Sequence, residues 1–231
     1  LKRIILHTQD GGKTWWNRGT IFASIGHFLS PQTGFLIGDS TLYKTTDGGN
    51  TWSQKQLPNN NYSKLHFFTE DEGIVLSVKV GVPTKDTINF PFKSKTVFSV
   101  LRTKDASQTW DTLYTEARPD RSVSSMKWID KSTGFILAGN QILRTIDGGN
   151  KWDVIHNSSI KTLRNIDFFH EKVGIALGNN DTILITTDGG TTWNKQYIFM
   201  PPPYYQYMQE LTLSYRRIFI IDDSLAFLSG N

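Results

Sequence analysis

Apolar residues in this chain come in short runs separated by polar, glycine-bearing turns, and three kinds of run recur in the same order. The first kind contains Phe28-Leu29, Leu65-His66-Phe67-Phe68, Met126-Lys127-Trp128-Ile129, Ile166-Asp167-Phe168-Phe169 and Ile218-Phe219-Ile220-Ile221. The second follows a few residues later, as Thr33-Gly34-Phe35-Leu36-Ile37-Gly38 and Thr133-Gly134-Phe135-Ile136-Leu137-Ala138-Gly139. Its variants are Glu72-Gly73-Ile74-Val75-Leu76, Val173-Gly174-Ile175-Ala176-Leu177-Gly178 and Leu225-Ala226-Phe227-Leu228-Ser229-Gly230. This second kind is apolar almost without interruption, the pattern of a strand covered on both faces. The third kind reads Ile4-Ile5-Leu6, Leu42-Tyr43, Val100-Leu101, Ile142-Leu143 and Ile183-Leu184-Ile185, and alternates as a half-buried strand does.

Each third run leads into one eight-residue phrase. It reads Thr8-Gln9-Asp10-Gly11-Gly12-Lys13-Thr14-Trp15 at its first appearance and Thr45-Thr46-Asp47-Gly48-Gly49-Asn50-Thr51-Trp52 at its second. Further copies carry Asp105 with Trp110, Asp147 with Trp152, and Asp188 with Trp193. Asp-Gly-Gly is a tight-turn signal: the glycines accept positive φ and the carboxylate can take N–H groups of its own turn. The tryptophan then opens a fourth strand, with its indole predicted to bury against the hairpin. The third copy has Ala106-Ser107 in place of the glycines, and the fourth has Lys151 in place of threonine. Both turns are expected to be less regular.

Four short antiparallel strands per unit, repeated along the chain, predict an all-β fold: a β-propeller of four-stranded blades. The aspartates stand 37, 58, 42 and 41 residues apart, a blade-sized period with one long spacing. The chain begins with the last two strands of a blade and ends with the first two. Joined, the ends make one blade, which would close a ring and remove two sheet edges. A single domain over residues 1–231 is therefore expected, with five blades at about 20–57, 62–116, 122–156, 162–199, and 216–231 plus 1–18. A piece of a longer array is the alternative.

The phrase carrying Asp10, Gly12, Thr14 and Trp15, with its four copies, resembles the Asp-box or BNR repeat, and the resemblance covers nearly the whole chain. The Asp-Gly-Gly-x-Thr-Trp form is most similar to the photosystem II stability and assembly factor-like propellers. The resemblance implies that the Asp turns are structural and remote from the ligand face. It also implies an extracytoplasmic protein, periplasmic, secreted or lumenal, and a start at Leu1 without methionine is compatible with a removed leader. Five structural turns and no catalytic constellation lead to the expectation of a noncatalytic protein that assists assembly or binds a partner.

Composition changes this picture little. The formal net charge is +4 over 231 residues and is spread along the chain, too diffuse to argue for nucleic acid. No stretch is apolar for long enough to span a membrane as a helix. There is no cysteine, which excludes disulfides and thiolate metal sites. The five histidines are dispersed, with His27 and His66 in innermost strands, and no spacing of His and carboxylates predicts a metal or cofactor.

Functional loops in repeat proteins are departures from the period. Two segments exceed it: about Lys79 to Lys95, between the second and third strands of one blade, and Met200 to Met208, between blades. Strand alternation puts both on the face opposite the Asp turns, together with the connectors at Asn59–Tyr62, Arg118–Arg121 and His156-Asn157. The candidate partner-binding surface is Phe90, Phe92, Arg118, Arg121, Tyr204, Tyr205 and Tyr207, since exposed aromatics and arginines suit protein or sugar recognition. A protein partner is the leading expectation and carbohydrate the second. A sialidase-like glycoside hydrolase is the enzymatic alternative, with Glu116, Asp120, Glu210, Asp222 and Asp223 as available carboxylates. Such an enzyme also needs clustered arginines, whereas Arg3, Arg102 and Arg144 lie beside the Asp turns.

Overall fold

The computed structural model describes residues 4–58, 61–83, 94–118, 123–158, 162–179, 183–196, 215–220 and 226–230. The chain divides into two compact units, Leu1–Pro119 and Asp120–Asn231. In the first unit, β1 (Ile4–His7) and β2 (Trp16–Thr20) form a two-stranded sheet. Two four-stranded sheets follow. The first blade is β3 (Ile25–Phe28), β4 (Gly34–Gly38), β5 (Thr41–Thr45) and β6 (Ser53–Gln56). The second blade is β7 (Tyr62–Phe67), β8 (Gly73–Pro83), β9 (Ser94–Thr103) and β10 (Asp111–Arg118).

The second unit repeats the plan. The third blade is β11 (Val123–Trp128), β12 (Gly134–Ala138), β13 (Gln141–Thr145) and β14 (Asp153–Asn157). The fourth is β15 (Leu163–Phe168), β16 (Gly174–Gly178), β17 (Ile183–Thr186) and β18 (Asn194–Gln196). A two-stranded sheet, β19 (Tyr215–Ile220) with β20 (Ala226–Gly230), comes last. Strands pair antiparallel and in chain order within every sheet, which is the propeller blade read from the sequence.

One register rule runs through the complete blades. The glycine that opens the second strand faces the last residue of the first strand: Phe28↔Gly34, Phe67↔Gly73, Trp128↔Gly134 and Phe168↔Gly174. The aromatic ring lies across the glycine, so a Cβ at Gly73, Gly134 or Gly174 would stand 2.6–2.7 Å from a ring carbon. Space, rather than backbone freedom, is what requires glycine here. The same glycine pairs on its other side with the threonine that heads the Asp turn, as in Gly34↔Thr45 and Gly134↔Thr145.

The second strands are the core. All five residues of β12 and of β16 are buried, whereas β18 is exposed throughout. In the first unit Phe35, Ile37, Leu42, Leu65, Phe67, Val75 and Leu101 form one cluster. In the second, Phe135, Leu137, Leu163, Ile166, Phe168 and Trp193 form another. Each such side chain contributes roughly 1.5–3 kcal/mol of burial, which is how a five-residue strand is held without long hydrogen-bonded ladders. First strands of neighbouring blades also meet: Ser124 Oγ of β11 donates to the Leu163 carbonyl of β15 at 2.8 Å.

The tryptophans do not open the fourth strands, as the sequence predicted, but stand just before them. Trp52 precedes β6 because its Nε1 turns back and donates to the Gly49 carbonyl at 3.1 Å. Burial of the indole holds for Trp152 and Trp193, at 6% and 7% exposure, and fails for Trp15, at 58%. Trp15 stands just before β2 of the two-stranded sheet, which has no second strand to cover it among the described residues.

Candidate functional site

The five Asp turns share one hydrogen-bond plan. In the second copy the Thr45 hydroxyl donates to Asp47 Oδ1 at 2.8 Å and accepts from the Gly49 N–H at 2.8 Å. Asp47 Oδ1 also takes the Thr51 N–H at 2.9 Å, and Oδ2 takes the Thr51 hydroxyl at 2.6 Å. Both carboxylate oxygens are thus engaged inside the turn. The Thr51 hydroxyl, then its N–H, hold the Asp47 carboxyl down to about 2, from 3.8. The matching threonines do the same for Asp10, Asp105 and Asp188, each down to about 2. A carboxylate stabilised this way is a poor proton donor and a weak base, so its role is the turn itself.

The two irregular copies behave differently from each other. In its backbone and its threonine–aspartate bonds the Ala106-Ser107 turn is as regular as its glycine counterparts, which corrects the sequence expectation, although Trp110 Nε1 lacks the carbonyl partner that Trp52 finds in Gly49. Ala106 and Ser107 adopt φ of 55° and 67°, the left-handed region that Gly48 and Gly49 occupy at 70° and 86°. The Ser107 N–H still reaches Thr103 Oγ1 at 2.9 Å, and the Thr109 hydroxyl reaches Asp105 Oδ2 at 2.6 Å. The Lys151 turn keeps the backbone bond, Lys151 N–H to Asp147 Oδ1 at 3.0 Å, but lysine brings no hydroxyl to the carboxylate. Asp147 is lowered chiefly by that backbone bond.

On the opposite side of the blades, the structure describes one of the seven predicted partner-binding residues. Arg118 ends β10, is 9% exposed, and directs Nη1 to Glu116 Oε1 at 3.1 Å. Glu116, one of the carboxylates considered for hydrolysis, also accepts from the Tyr114 hydroxyl at 3.1 Å. Phe90, Phe92, Arg121, Tyr204, Tyr205 and Tyr207 lie outside the described residues, as do Asp120, Glu210, Asp222 and Asp223. The insertion at Lys79–Lys95 is in part strand. β8 runs 11 residues and β9 runs 10, against five in β12 and β13, so the hairpin extends past the other blades' length. Because Gly73 pairs with Thr103 and Pro83 with Ser94, the extension leaves the end of the blade away from the Asp turn. β10 follows it, pairing Arg118 with Thr96. Val80, on the extension, is 59% exposed.

The structure also brings together residues that the sequence reading left apart. His27 and His66 occupy the same offset, one residue before the first-strand aromatic, and their rings meet at 4.5 Å between centroids, tilted by 51°. In the second unit the same offset holds Lys127 and Asp167, which form an ion pair. The shared offset was the signal available in the sequence. Of the arginines by the turns, Arg102 and Arg144 are committed to local contacts, and Arg3 lies outside the described residues. Arg102 Nε donates to Glu72 Oε1 at 3.2 Å, and the Arg144 guanidinium lies 5.9 Å from the Phe135 ring centroid. Among the described residues there is no group of three or more His, Asp or Glu that could hold a metal ion. No helix among them is long and apolar enough to cross a membrane.

Blades, register and turns together define the class: an all-β propeller protein. No family model and no curated protein matches the chain. Among solved structures it is similar to an ancestral GH74 enzyme, with a TM-score of 0.59, 13% identity, and coverage of 81% of this chain and 27% of that one. It is similar to the Pyrococcus horikoshii acylaminoacyl peptidase at TM-score 0.55 and 13% identity, covering 98% of this chain and 40% of that one. It is also similar to YCF48 bound to D1 peptide, at TM-score 0.48 and 16% identity, covering 100% and 83%. At these identities the likeness is one of fold.

Proposed function

We propose that the chain is a noncatalytic propeller that holds a protein partner on the side of its blades away from the Asp turns, and that it works outside the cytoplasm. The observation that carries this reading is the lengthened second blade. Three strands, β8, β9 and β10, are built out past the standard blade on that side, at a cost in chain ordering that the blade's own fold does not require. Phe90 and Phe92 lie at the tip of that extension in sequence, and Tyr204, Tyr205 and Tyr207 lie in the second long connection. Arg121 adds a positive charge three residues further along the sequence from Arg118, which, braced by Glu116, fixes the end of β10. The Asp turns are the opposite kind of element, since their carboxylates are used up in holding their own loops.

The test is capture of a partner by the full chain and by a variant whose residues 84–93 are replaced by an Asn-Gly turn, with Phe90→Ala/Phe92→Ala as a milder version. A partner retained by the first and lost by both variants supports the reading, provided the variants keep the wild-type far-ultraviolet spectrum. The carbohydrate reading gives a different outcome. Hydrolysis of a fluorogenic sialoside or of a xyloglucan oligosaccharide, abolished by Glu116→Gln, would replace the binding role with a glycosidase. Cell fractionation tests the compartment: the chain is expected with periplasmic or secreted markers, and a cytosolic pool as the major one sinks that part.

A further inference from the structure

Within each unit, the first strands of the two complete blades meet one residue before the first-strand aromatic, and one construction fixes both meetings. In the second unit Lys127 lies opposite Phe135 in its own blade, and Phe135 stacks on Phe168, the residue after Asp167, with centroids 4.7 Å apart. Lys127 Nζ pairs there with Asp167 Oδ1. In the first unit His27 lies opposite Phe35, and Phe35 stacks on Phe67, the residue after His66, at 3.6 Å and an interplanar angle of 1°. This buried stack holds β3 to β7 at the residues that carry the imidazoles, so close packing of the core sets how far apart the two rings stand. The two meetings differ in chemistry. Lysine and aspartate neutralise each other. Two histidines bring no opposite charge, but as neutral imidazoles they bring two ring-nitrogen lone pairs to one place.

We propose that His27 and His66 together hold one divalent transition-metal ion of the class that imidazole favours, Zn²⁺, Ni²⁺ or Cu²⁺, with its remaining positions left to water or to a donor from another molecule. An ion about 2.0–2.1 Å from one nitrogen of each ring puts the ring centroids roughly 4.5 Å apart when the two bonds meet at a right angle, and roughly 5 Å apart at the tetrahedral angle. The observed separation is 4.5 Å, with the ring planes tilted by 51°. Both histidines are half-buried, so the rings are held in place and still open to an entering ion. Phe68 stands edge-on to His66 at 4.8 Å and covers one flank. Arg102, 5.9 Å from the Phe68 ring centroid, is engaged by Glu72. Lys64, two residues before His66, lies on the same face of β7 by strand alternation. Its charge opposes any cation, so only an ion with a strong preference for imidazole nitrogen is retained. The pair stands at the Asp-turn end of the blades: the next residues, Phe28 and Phe67, face Gly34 and Gly73, which pair in turn with Thr45 and Thr103. The site is therefore independent of a partner held at the other end.

The test uses the full chain without an affinity tag, and Zn²⁺ alone as the probe. Calorimetry is expected to show one Zn²⁺ bound per chain. Loss of an outer hydrogen-bond partner already costs a metal site about 10–100-fold in affinity, so His27→Ala and His66→Ala, each removing a ligand, should weaken binding at least about tenfold. The other three of the chain's five histidines are the control: a folded variant with His7→Ala, His156→Ala and His170→Ala should bind as the wild type does. Binding that survives either single substitution, binding lost in the triple variant, or no binding at millimolar zinc overturns the proposal. Long-range proton–nitrogen NMR of the unaltered chain needs no variant to fold. One ring nitrogen of His27 and one of His66 should shift together over the same range of zinc concentration, and Mg²⁺ should shift neither. A shift confined to one ring, or seen in neither, overturns the pairing, and an equal response to Mg²⁺ overturns the choice of ion.

Discussion

The turn around Asp105 and the turn around Asp147 depart from the common phrase in opposite ways, and the structure treats them oppositely. The first gives up both glycines and keeps every bond among Thr103, Asp105, Ser107 and Thr109, losing only the indole N–H bond that Trp52 makes to Gly49 and Trp110 does not make. The second keeps both glycines and gives up a hydroxyl that no backbone adjustment can replace. The turn is therefore specified by its side-chain donors more than by its flexible residues. Thr103 and Thr145, each 1% exposed, head the two turns in the same way, with the hydroxyl donating to the aspartate and accepting from the N–H four residues on. This bracket holds Ala106 and Ser107 at positive φ, a conformation costing roughly 1–3 kcal/mol for each such residue.

The largest effect should come from removing the bracket. Thr103→Val preserves shape and burial but leaves the buried Ser107 N–H without its acceptor, at a cost of about 1–3 kcal/mol. Thr145→Val should cost a similar amount through Gly149 N–H. If urea midpoints of the two variants fall together, the hydroxyl sets the turn in both. A much larger loss at Thr103 would mean that glycine carries part of the load at Thr145. The intermediate effect runs the other way. Ala106→Gly with Ser107→Gly relieves the positive φ, offset partly by glycine's greater freedom in the unfolded chain, for a net gain of about 1 kcal/mol. A destabilised double variant would show that the two residues are not strained at all.

What the sequence made legible follows the same division between local and non-local causes. Blade plan, strand order and the Asp turns were readable because each is written within about ten residues and repeated, and a pattern such as Gly34-Phe35 followed by Thr45 to Trp52 carries its own register. The strand extension in the second blade was read as part of a loop between the second and third strands because it exceeds the blade period. In fact Gly81 takes φ of 82° at a register shift between Lys79 and Val82, and the ladder resumes beyond it. The regularity of the Ala106-Ser107 turn was illegible because its positive φ is imposed by Thr103 and Asp105 rather than by the residues themselves. The meeting of His27 with His66, and of Lys127 with Asp167, depends on how one repeat packs on the next. The candidate site was legible only as a place: Phe90, Phe92 and the three tyrosines sit in segments that depart from the period, and a departure carries no template from which to read a geometry.

The smallest effect isolates the missing hydroxyl. Lys151→Thr should restore a donor to Asp147 and lower its carboxyl further, toward the value of about 2 that Thr51 gives Asp47. Lysine's own compensation is minor: Nζ meets Asp153 Oδ1 at 2.9 Å, but the side chains are 73% and 62% exposed, and such a pair contributes little. The gain in stability at neutral pH should be about 0.5 kcal/mol, and the clearer signal lies in acid. A carboxyl whose folded pKa is depressed adds stability that is fully present above its unfolded value, near 3.8, and is lost as pH falls through the folded pKa. Below both values the contribution is gone. Wild-type protein should therefore begin to lose the Asp147 turn at higher pH than the other four, and Lys151→Thr should move that loss downward to join them. Carboxyl-carbon titration by NMR reads each aspartate separately. If Asp147 already titrates with Asp47 in the wild-type chain, the backbone N–H alone is enough to hold the carboxylate, and the hydroxyl is not what distinguishes the two turns.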